Sequence, residues 1–97
     1  MFARLTILEL KPDDLDEVIK IYHDKVVPAA KSQKGYKGVL LLNDRKTGKG
    51  ISIALWESEG DAIANEKSGY YQEQVGRFKD YIIKPPVREG YEVSIQA

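Results

Sequence analysis

The residues of this chain that could do chemistry are a single histidine and a set of aromatic side chains. An imidazole with an ordinary pKa of about 6.5 can accept a proton inside a pocket, which makes His23 a catalytic candidate. Tyr70 and Tyr71 offer neighbouring hydroxyl groups that can donate or accept hydrogen bonds. The alternative for His23 is a residue at the edge of the buried helix face, with one ring nitrogen in solvent.

A second group of residues is predicted to line an apolar pocket. Tyr22 and Phe78 lie on helix faces that should meet the sheet, and Lys67 and Gln74 place polar groups within the same apolar stripe. A polar group that converges on an apolar cleft is typical of a small-molecule site. The alternative is that these aromatic side chains are buried as ordinary core.

Trp56 is the only tryptophan and ends a predicted strand. Alternation along the strand places it on the side opposite Ile53 and Leu55. On that side it could pack in a dimer interface, or line the pocket if the strand end carries a bulge.

Length and composition exclude several classes of protein. The 97 residues predict a single domain, 1–97, and 42% hydrophobic with 31% charged residues is typical of a soluble globular protein. Fifteen basic and fifteen acidic residues cancel, so no charge pattern favours nucleic acid or an anionic membrane. One histidine and no cysteine argue against a metal site. With no apolar run long enough to span a bilayer, we expect a cytoplasmic protein.

The first half of the chain alternates between strand and helix patterns. Residues 2–10 alternate in polarity with the period of a strand. Over residues 13–32 apolar side chains recur at spacings of three and four, which predicts a helix that kinks or restarts at Pro28. Residues 36–43 form a second strand, and its apolar centre is typical of an inner strand covered on both sides.

The second half repeats the same order of elements. A turn over residues 44–50 leads into a third strand at 51–57. Residues 59–82 follow a helical pattern that is interrupted at Gly69, and residues 87–96 form the last strand. The order predicts an α+β, ferredoxin-like βαββαβ sandwich, with four antiparallel strands and two helices on one face.

The two sides of the predicted sheet differ in polarity. One side is uniformly apolar along three strands, at Ala3, Leu5, Ile7, Ile51, Ile53, Leu55, Tyr91, Val93 and Ile95. We expect this side to pack against the helices. The other side is mixed and holds Arg4, Thr6 and Trp56, and it would be left in water by a two-layer domain. An apolar patch there marks a partner surface, which predicts a homodimer packed sheet against sheet.

Residues 55–59, Leu-Trp-Glu-Ser-Glu, resemble the antibiotic biosynthesis monooxygenase family of the dimeric α/β-barrel superfamily. Members often close the third strand with an aromatic residue or leucine, then tryptophan, a charged residue and serine. The turn at 11–13, the passage at 35–38 and the hairpin at 43–48 also fit. The resemblance covers essentially the whole chain.

The resemblance implies a pocket between helices and sheet in each subunit of a dimer. Family members include monooxygenases that oxidise electron-rich aromatic or quinol substrates without metal or flavin, so no cofactor is implied. Others degrade heme by means of a second tryptophan and a heme-ligating histidine. Those positions hold Asn65 and Val75 here, which argues against heme degradation.

Three hypotheses for function follow. The first is a cofactor-independent monooxygenase acting on a small aromatic or quinol-type metabolite, in which His23 or a tyrosine assists deprotonation. The second is a non-catalytic dimer that binds a small apolar or aromatic molecule in the same pocket. The third is a structural module without a ligand, which a closed core would indicate.

Overall fold

Four antiparallel strands form one sheet, and both helical stretches cover the same side of it. The strands are β1 (Phe2–Glu9), β2 (Tyr36–Asn43), β3 (Lys49–Trp56) and β4 (Val87–Glu92). They lie in the order β2-β3-β1-β4. This computed structural model describes residues 1–97. The architecture confirms the predicted ferredoxin-like α+β sandwich.

The first helical stretch changes its winding ahead of a proline. It comprises a 3-10 turn (Pro12–Asp14), α1 (Leu15–Ile21), a π-helical segment (Tyr22–Val26) and α2 (Val27–Lys31). Val27 donates its backbone N–H to the carbonyl of Tyr22, five residues earlier. Pro28 cannot donate to the carbonyl of Asp24, and the wider turn accommodates that missing bond. The predicted interruption is therefore present, as a π turn placed before the proline.

The second helical stretch is broken by a glycine. Its parts are α3 (Glu59–Lys67) and α4 (Tyr70–Gly76), separated by Gly69 with a φ of +89°. The hydroxyl of Ser58 caps α3 by accepting a bond from the Asp61 backbone N–H at 3.2 Å. Regular helix ends at Gly76 rather than near residue 82, because the following turns lead Ile82 into a bridge with Leu10.

The polarity of the two sheet faces is the reverse of the prediction. Arg4, Thr6 and Trp56 lie beneath the helices, where they line a cavity. The uniformly apolar side faces outward, where Leu40, Leu42, Val87 and Tyr91 are 47–53% exposed. β4 ends at Glu92 rather than near residue 96, so Val93 and Ile95 lie beyond the strand. The rule that the more apolar side meets the helices fails here, because the helix side holds a cavity with polar groups. The outer side of the sheet therefore carries exposed apolar side chains.

Strand β2 lies at the edge of the sheet and is not the inner strand that its sequence predicted. Its apolar character on both sides has two separate causes. Val39 and Leu41 pack against the core beneath the helices. Leu40 and Leu42 belong to the outward apolar side and are about half exposed.

Two clusters of buried side chains form the interior. The larger cluster surrounds Leu10, Leu15 and Val18, each 1% exposed. The smaller consists of Phe2, Trp56 and Ala62. Members of both clusters line the same cavity, so the interior is divided rather than continuous. None of the helices is long and apolar enough to cross a bilayer.

Candidate functional site

A cavity of about 70 Å³ lies between the sheet and the helices. Its floor comes from alternate residues of the strands: Arg4, Thr6 and Leu8 of β1, Val39 and Leu41 of β2, Ser52, Ala54 and Trp56 of β3. Its roof comes from residues one helical turn apart: Val18, Tyr22, Val26 and Ala30, then Ala62, Asn65 and Glu66, then Tyr70, Tyr71, Gln74, Val75 and Phe78. A water needs roughly 10–15 Å³ by this measure, so the space exceeds that of a packing defect.

Trp56 and Tyr70 form the aromatic end of the cavity. Their rings are perpendicular, with centroids 6.5 Å apart. Trp56 is 3% exposed and packs with Phe2 and Ala62. Strict alternation placed Trp56 opposite Leu55 correctly, but that side faces the helices. The structure therefore puts Trp56 in the cavity wall rather than in an interface on the outer side.

Two tyrosine hydroxyls of the roof are held by polar side chains of the floor. The oxygens of Tyr22 and Ser52 share a hydrogen bond of 2.9 Å, and those of Tyr71 and Thr6 share one of 2.8 Å. Burial raises the pKa of Tyr22, and the bond to Ser52 offsets part of that effect. These bonds fix the two rings against the sheet and keep the cavity open between them.

Tyr70 is affected more strongly by its surroundings. Burial, with a smaller contribution from the nearby Tyr22, raises the pKa of Tyr70 to about 12. Its phenol therefore stays protonated at neutral pH. In this state Tyr70 can donate a hydrogen bond to an oxygen in the cavity but does not act as a base.

A charged cluster closes one side of the cavity. Glu66 receives bonds from Nε and Nη2 of Arg4 at 2.7 and 3.1 Å, and Arg88 lies 3.6 Å from the same carboxylate. The Arg4 and Glu66 side chains are only 14% and 13% exposed. Gly90 leaves room for this arrangement, since a Cβ there would collide with Arg4 and Phe2. The Arg4–Glu66 pair in the wall is neutral, and Arg88, which is 46% exposed, adds one positive charge beside it.

Gln74 and Phe78 occupy wall positions, as the pocket hypothesis proposed. Gln74 is 8% exposed, and its side-chain oxygen accepts a bond from Nε of Arg77 at 2.9 Å. Phe78 is 4% exposed and belongs to the larger core cluster as well. Together with Tyr22, Tyr70, Tyr71 and Trp56, these residues surround the same space.

The structure places two of the predicted site residues outside the cavity. The side chain of His23 is 84% exposed and contacts Asp24 at 3.0 Å. The π turn shifts the phase of the helix at this point, so a regular wheel put His23 too close to the buried stripe. Lys67 is exposed at the end of α3, because the break at Gly69 resets the helical phase.

The wall contains residues that the sequence analysis did not select as site residues. The polar ones are Arg4, Thr6, Ser52, Asn65 and Glu66. A usable signal was present in the strands, where small and polar side chains alternate with apolar ones. Such residues leave space beneath the helices and offer partners for buried tyrosines. No group of three or more histidine, cysteine or carboxylate side chains could hold a metal ion.

Known proteins similar in sequence cover only part of this chain. A comparison with models of protein families finds no match. The uncharacterized Mycobacterium tuberculosis protein Rv2558 is 38% identical over 58 residues, and Rv2557 from the same organism is 34% identical over the same length. These matches span 60% of this chain but only 25% and 26% of the two relatives.

Solved structures match nearly the whole chain. A monooxygenase from the gene ActVA-Orf6 of Streptomyces coelicolor, in complex with nanaomycin D, superposes with a TM-score of 0.79 over 99% of this chain and 91% of its own. An antibiotic biosynthesis monooxygenase superposes at 0.75 over 98% and 100%. The chain has the fold of the antibiotic biosynthesis monooxygenases. At sequence identities of 13% and 14%, these similarities show the fold alone.

The same fold is used by a protein with another chemistry. The heme-degrader MhuD of Mycobacterium tuberculosis, with two hemes bound in its active site, superposes at a TM-score of 0.80 with 15% identity. It covers 100% of this chain and 99% of its own. The cavity wall of the present chain contains no histidine, and Val75 contributes only an aliphatic side chain. The wall therefore offers no histidine to a heme iron, and its tyrosine hydroxyls are bonded to Ser52 and Thr6 or, in Tyr70, kept protonated by burial.

Proposed function

We propose that this protein is a monooxygenase that needs no metal or flavin and acts on a small aromatic or quinol-type molecule. The observation that carries the proposal is the largely apolar cavity with aromatic walls, located between helices and sheet of an antibiotic biosynthesis monooxygenase fold. Apolar walls with a few convergent polar groups suit a flat, electron-rich ring with an oxygen substituent.

The substrate supplies all the electrons in this reaction. Deprotonation of an activated ring CH₂ or phenol gives a carbanion or phenolate, which reduces dioxygen and forms a C–O bond. The resulting hydroperoxide loses water, so that one oxygen atom stays in the product and the other leaves as water. For an anthrone, the CH₂ becomes a carbonyl and no external reductant is consumed.

The wall residues would assist by orientation rather than by strong base catalysis. Tyr70 is protonated at neutral pH and can donate a hydrogen bond to the substrate oxygen or to the peroxide. Tyr71 can do the same when Thr6 is the donor of the hydrogen bond between their two hydroxyls. The rings of Trp56 and Phe78 would hold the substrate plane. His23 has no part in this mechanism, since it lies outside the cavity.

We also infer that two copies pack through the outward side of the sheet. Paired residues build continuous apolar rows there, such as Leu40, Ile53 and Leu5, followed by Leu42, Ile51 and Ile7. Val87 extends the second row onto β4. A contiguous apolar surface of this kind is rarely left in water by a monomer. A second copy provides a matching surface through a twofold axis.

The test is oxygen uptake with hydroquinones, anthrones and catechols, using chelator-treated, flavin-free protein. The proposal predicts uptake above the rate without protein for at least one class. Ala54→Leu fills the cavity floor and should lower that rate about 10²-fold, because the substrate is displaced from its productive position. Ala64→Leu, on the exposed side of α3, is the matched control and should keep the rate. Equal rates in the two variants would contradict the proposed site.

A second candidate function is binding without chemistry. One observation favours it: the polar groups of the wall are mostly paired with each other, and the protonated Tyr70 is no base. In that case an anthrone would bind and be recovered unchanged after long aerobic incubation. Mass spectrometry of the recovered ligand separates this function from oxygenation.

A further inference from the structure

One buried donor in the cavity wall has no partner within the protein. Asn65 is 8% exposed, and its Nδ2 is fully buried without a hydrogen bond. Leaving an amide donor unpaired in a buried site is unfavourable, so such a group is usually matched by something. The residue lies on the face of α3 that lines the cavity.

Most other polar side chains around the cavity are paired, and the exception is Tyr70, whose hydroxyl is half-buried rather than fully buried. Thr6 bonds to Tyr71, and Arg4 bonds to Glu66. The side-chain oxygen of Gln74 is engaged by Arg77. The Nδ2 of Asn65 is therefore the one fully buried donor of the wall that no group of the protein engages, which makes it a candidate donor to a ligand.

The position of Asn65 indicates what lies beside its donor. Ala62, one helical turn earlier on the same face, packs against Trp56. Trp56 in turn meets Tyr70 edge to face at the aromatic end of the cavity. An oxygen that accepts from Asn65 would therefore belong to a molecule whose ring lies at this aromatic end.

We propose that Asn65 is a ligand-binding residue that donates a hydrogen bond from Nδ2 to a carbonyl oxygen, which makes the ligand a neutral aromatic ketone or quinone. This inference rests on the proposed function in one respect, namely that the cavity is the site where the aromatic molecule binds. It adds the residue that recognises the oxygen and the chemical class of the group recognised.

The charges of the wall favour a neutral carbonyl over a carboxylate. Arg4 is the cation of the wall, and both of its bonds go to Glu66. Arg88, the second arginine beside Glu66, is 46% exposed and does not line the cavity, so the lining offers no unpaired cation to an anionic ligand. A buried carboxylate without a paired cation costs far more free energy than a neutral carbonyl. A ketone accepts the bond from Asn65 without that cost.

A matched pair of probes tests this. 1-Tetralone and tetralin have the same fused ring system, and only the ketone carries an acceptor. Isothermal titration calorimetry on the wild-type protein should show 1-tetralone binding about tenfold more tightly, which is the contribution of about one good hydrogen bond. 1-Naphthoate should bind more weakly than 1-tetralone, because the one cation of the lining, Arg4, is already bonded to Glu66.

The variants assign the preference to one residue. Asn65→Leu should bring the ratio of the two dissociation constants close to one, and Asn65→Asp should weaken 1-tetralone by replacing the donor with an acceptor. Asn43→Leu is the matched control, since Asn43 also has a buried unpaired Nδ2 but lies outside the cavity. It should keep the wild-type ratio. Circular dichroism checks that each variant is folded. If Asn65→Leu does not fold, Asn65→Asp tests the role of Asn65 in its place.

The possible results separate this inference from the proposed reaction. An unchanged preference for 1-tetralone in a folded Asn65 variant overturns the role of Asn65. A wild-type protein that binds neither probe, or both equally, also overturns it. The protein could also show a preference for 1-tetralone that depends on Asn65 and yet consume no oxygen with any substrate class. That result supports the binding role of Asn65 and contradicts only the monooxygenase proposal.

Discussion

At the scale of single residues, the cavity depends on long side chains that are held by distant partners. Tyr22 reaches Ser52 across 30 positions of the chain, and Tyr71 reaches Thr6 across 65. The phenol of Tyr70 instead faces a poorly solvated region, which is why burial raises its pKa to about 12. Each ring therefore has a distinct polar environment within one small space.

The raised pKa of Tyr70 predicts a loss of stability at alkaline pH. A tyrosine in the unfolded chain ionises at a pKa of about 10. Between about pH 10 and 12 the unfolded state has released the proton that the folded state keeps, so the free energy of unfolding falls as the pH rises. Tyr70→Phe removes this contribution. Urea unfolding from pH 9 to 11.5 should show a shallower decline for the variant, and equal slopes would contradict the burial of the phenol.

Residue identity predicted part of the cavity wall. Tyr70, Gln74 and Phe78 were selected from one helical stripe together with Lys67, and Tyr22 was selected from the first helix. The structure places all of these residues except Lys67 in the wall. Asn65 was noted only for not being a tryptophan. The role proposed for Asn65 rests on an unpaired buried donor, which is a property of the folded structure and has no signature in the sequence.

At the scale of elements, the hairpin before β3 is fixed by a glycine. Gly48 has a φ of +84°, and a Cβ there would collide with the backbone carbonyl of Leu10. Leu10 in turn donates its N–H to the carbonyl of Gly48 at 3.2 Å. The turn is thus tied to the end of β1, and it sets the register of β3, which forms the floor of the cavity.

This arrangement predicts opposite effects for two glycine substitutions. Gly48→Ala should lower the free energy of unfolding by about 1–3 kcal/mol or more, because of the positive φ and the collision. Gly76→Ala is the control, since it has no atom within 4 Å of the added Cβ and lies in α4. It should raise stability by about 0.4–1 kcal/mol. Urea unfolding measures both, and equal losses would contradict the described turn.

Most strands and helices could be predicted from the chain, whereas the faces of the sheet could not. Alternation divides β1 into two sets of residues but does not say which set faces the helices. The usual preference for apolar contact assigned Leu5 and Ile7 to the helices, although they lie on the outer side. Thr6 and Ser52 lie beneath the helices because buried tyrosine hydroxyls bond to them. Those pairings are long-range, so no local pattern contains them.

At the scale of the whole molecule, the exposed apolar side of the sheet supports the proposed dimer. The sequence predicted a homodimer that packs through the mixed side of the sheet. We still propose a homodimer, but it packs through the uniformly apolar side. The exposed side chains there belong to different strands, yet they adjoin one another through the strand pairing. The cavity lies on the other side, so each copy keeps its own site when two sheets meet.

A charge placed on the outer side should separate the copies. Leu40 and Leu42 are 49% and 47% exposed, so Leu40→Glu combined with Leu42→Glu costs the single chain little packing. Sedimentation equilibrium should give twice 11.0 kDa for the wild-type protein and 11.0 kDa for the double variant. Ile83→Glu, 54% exposed and outside the sheet, should keep the larger mass. A wild-type mass of 11.0 kDa would contradict the inferred dimer.

The most direct test of the proposed chemistry is incubation of chelator-treated, flavin-free protein with anthrone under ¹⁸O₂. We expect anthraquinone to form faster than without protein, with one ¹⁸O atom per molecule and the second atom released as water. Ala54→Leu should form it no faster than the protein-free reaction, because the cavity floor is filled. Formation at the uncatalysed rate by the wild-type protein, or an added oxygen atom that comes from water, would contradict the account.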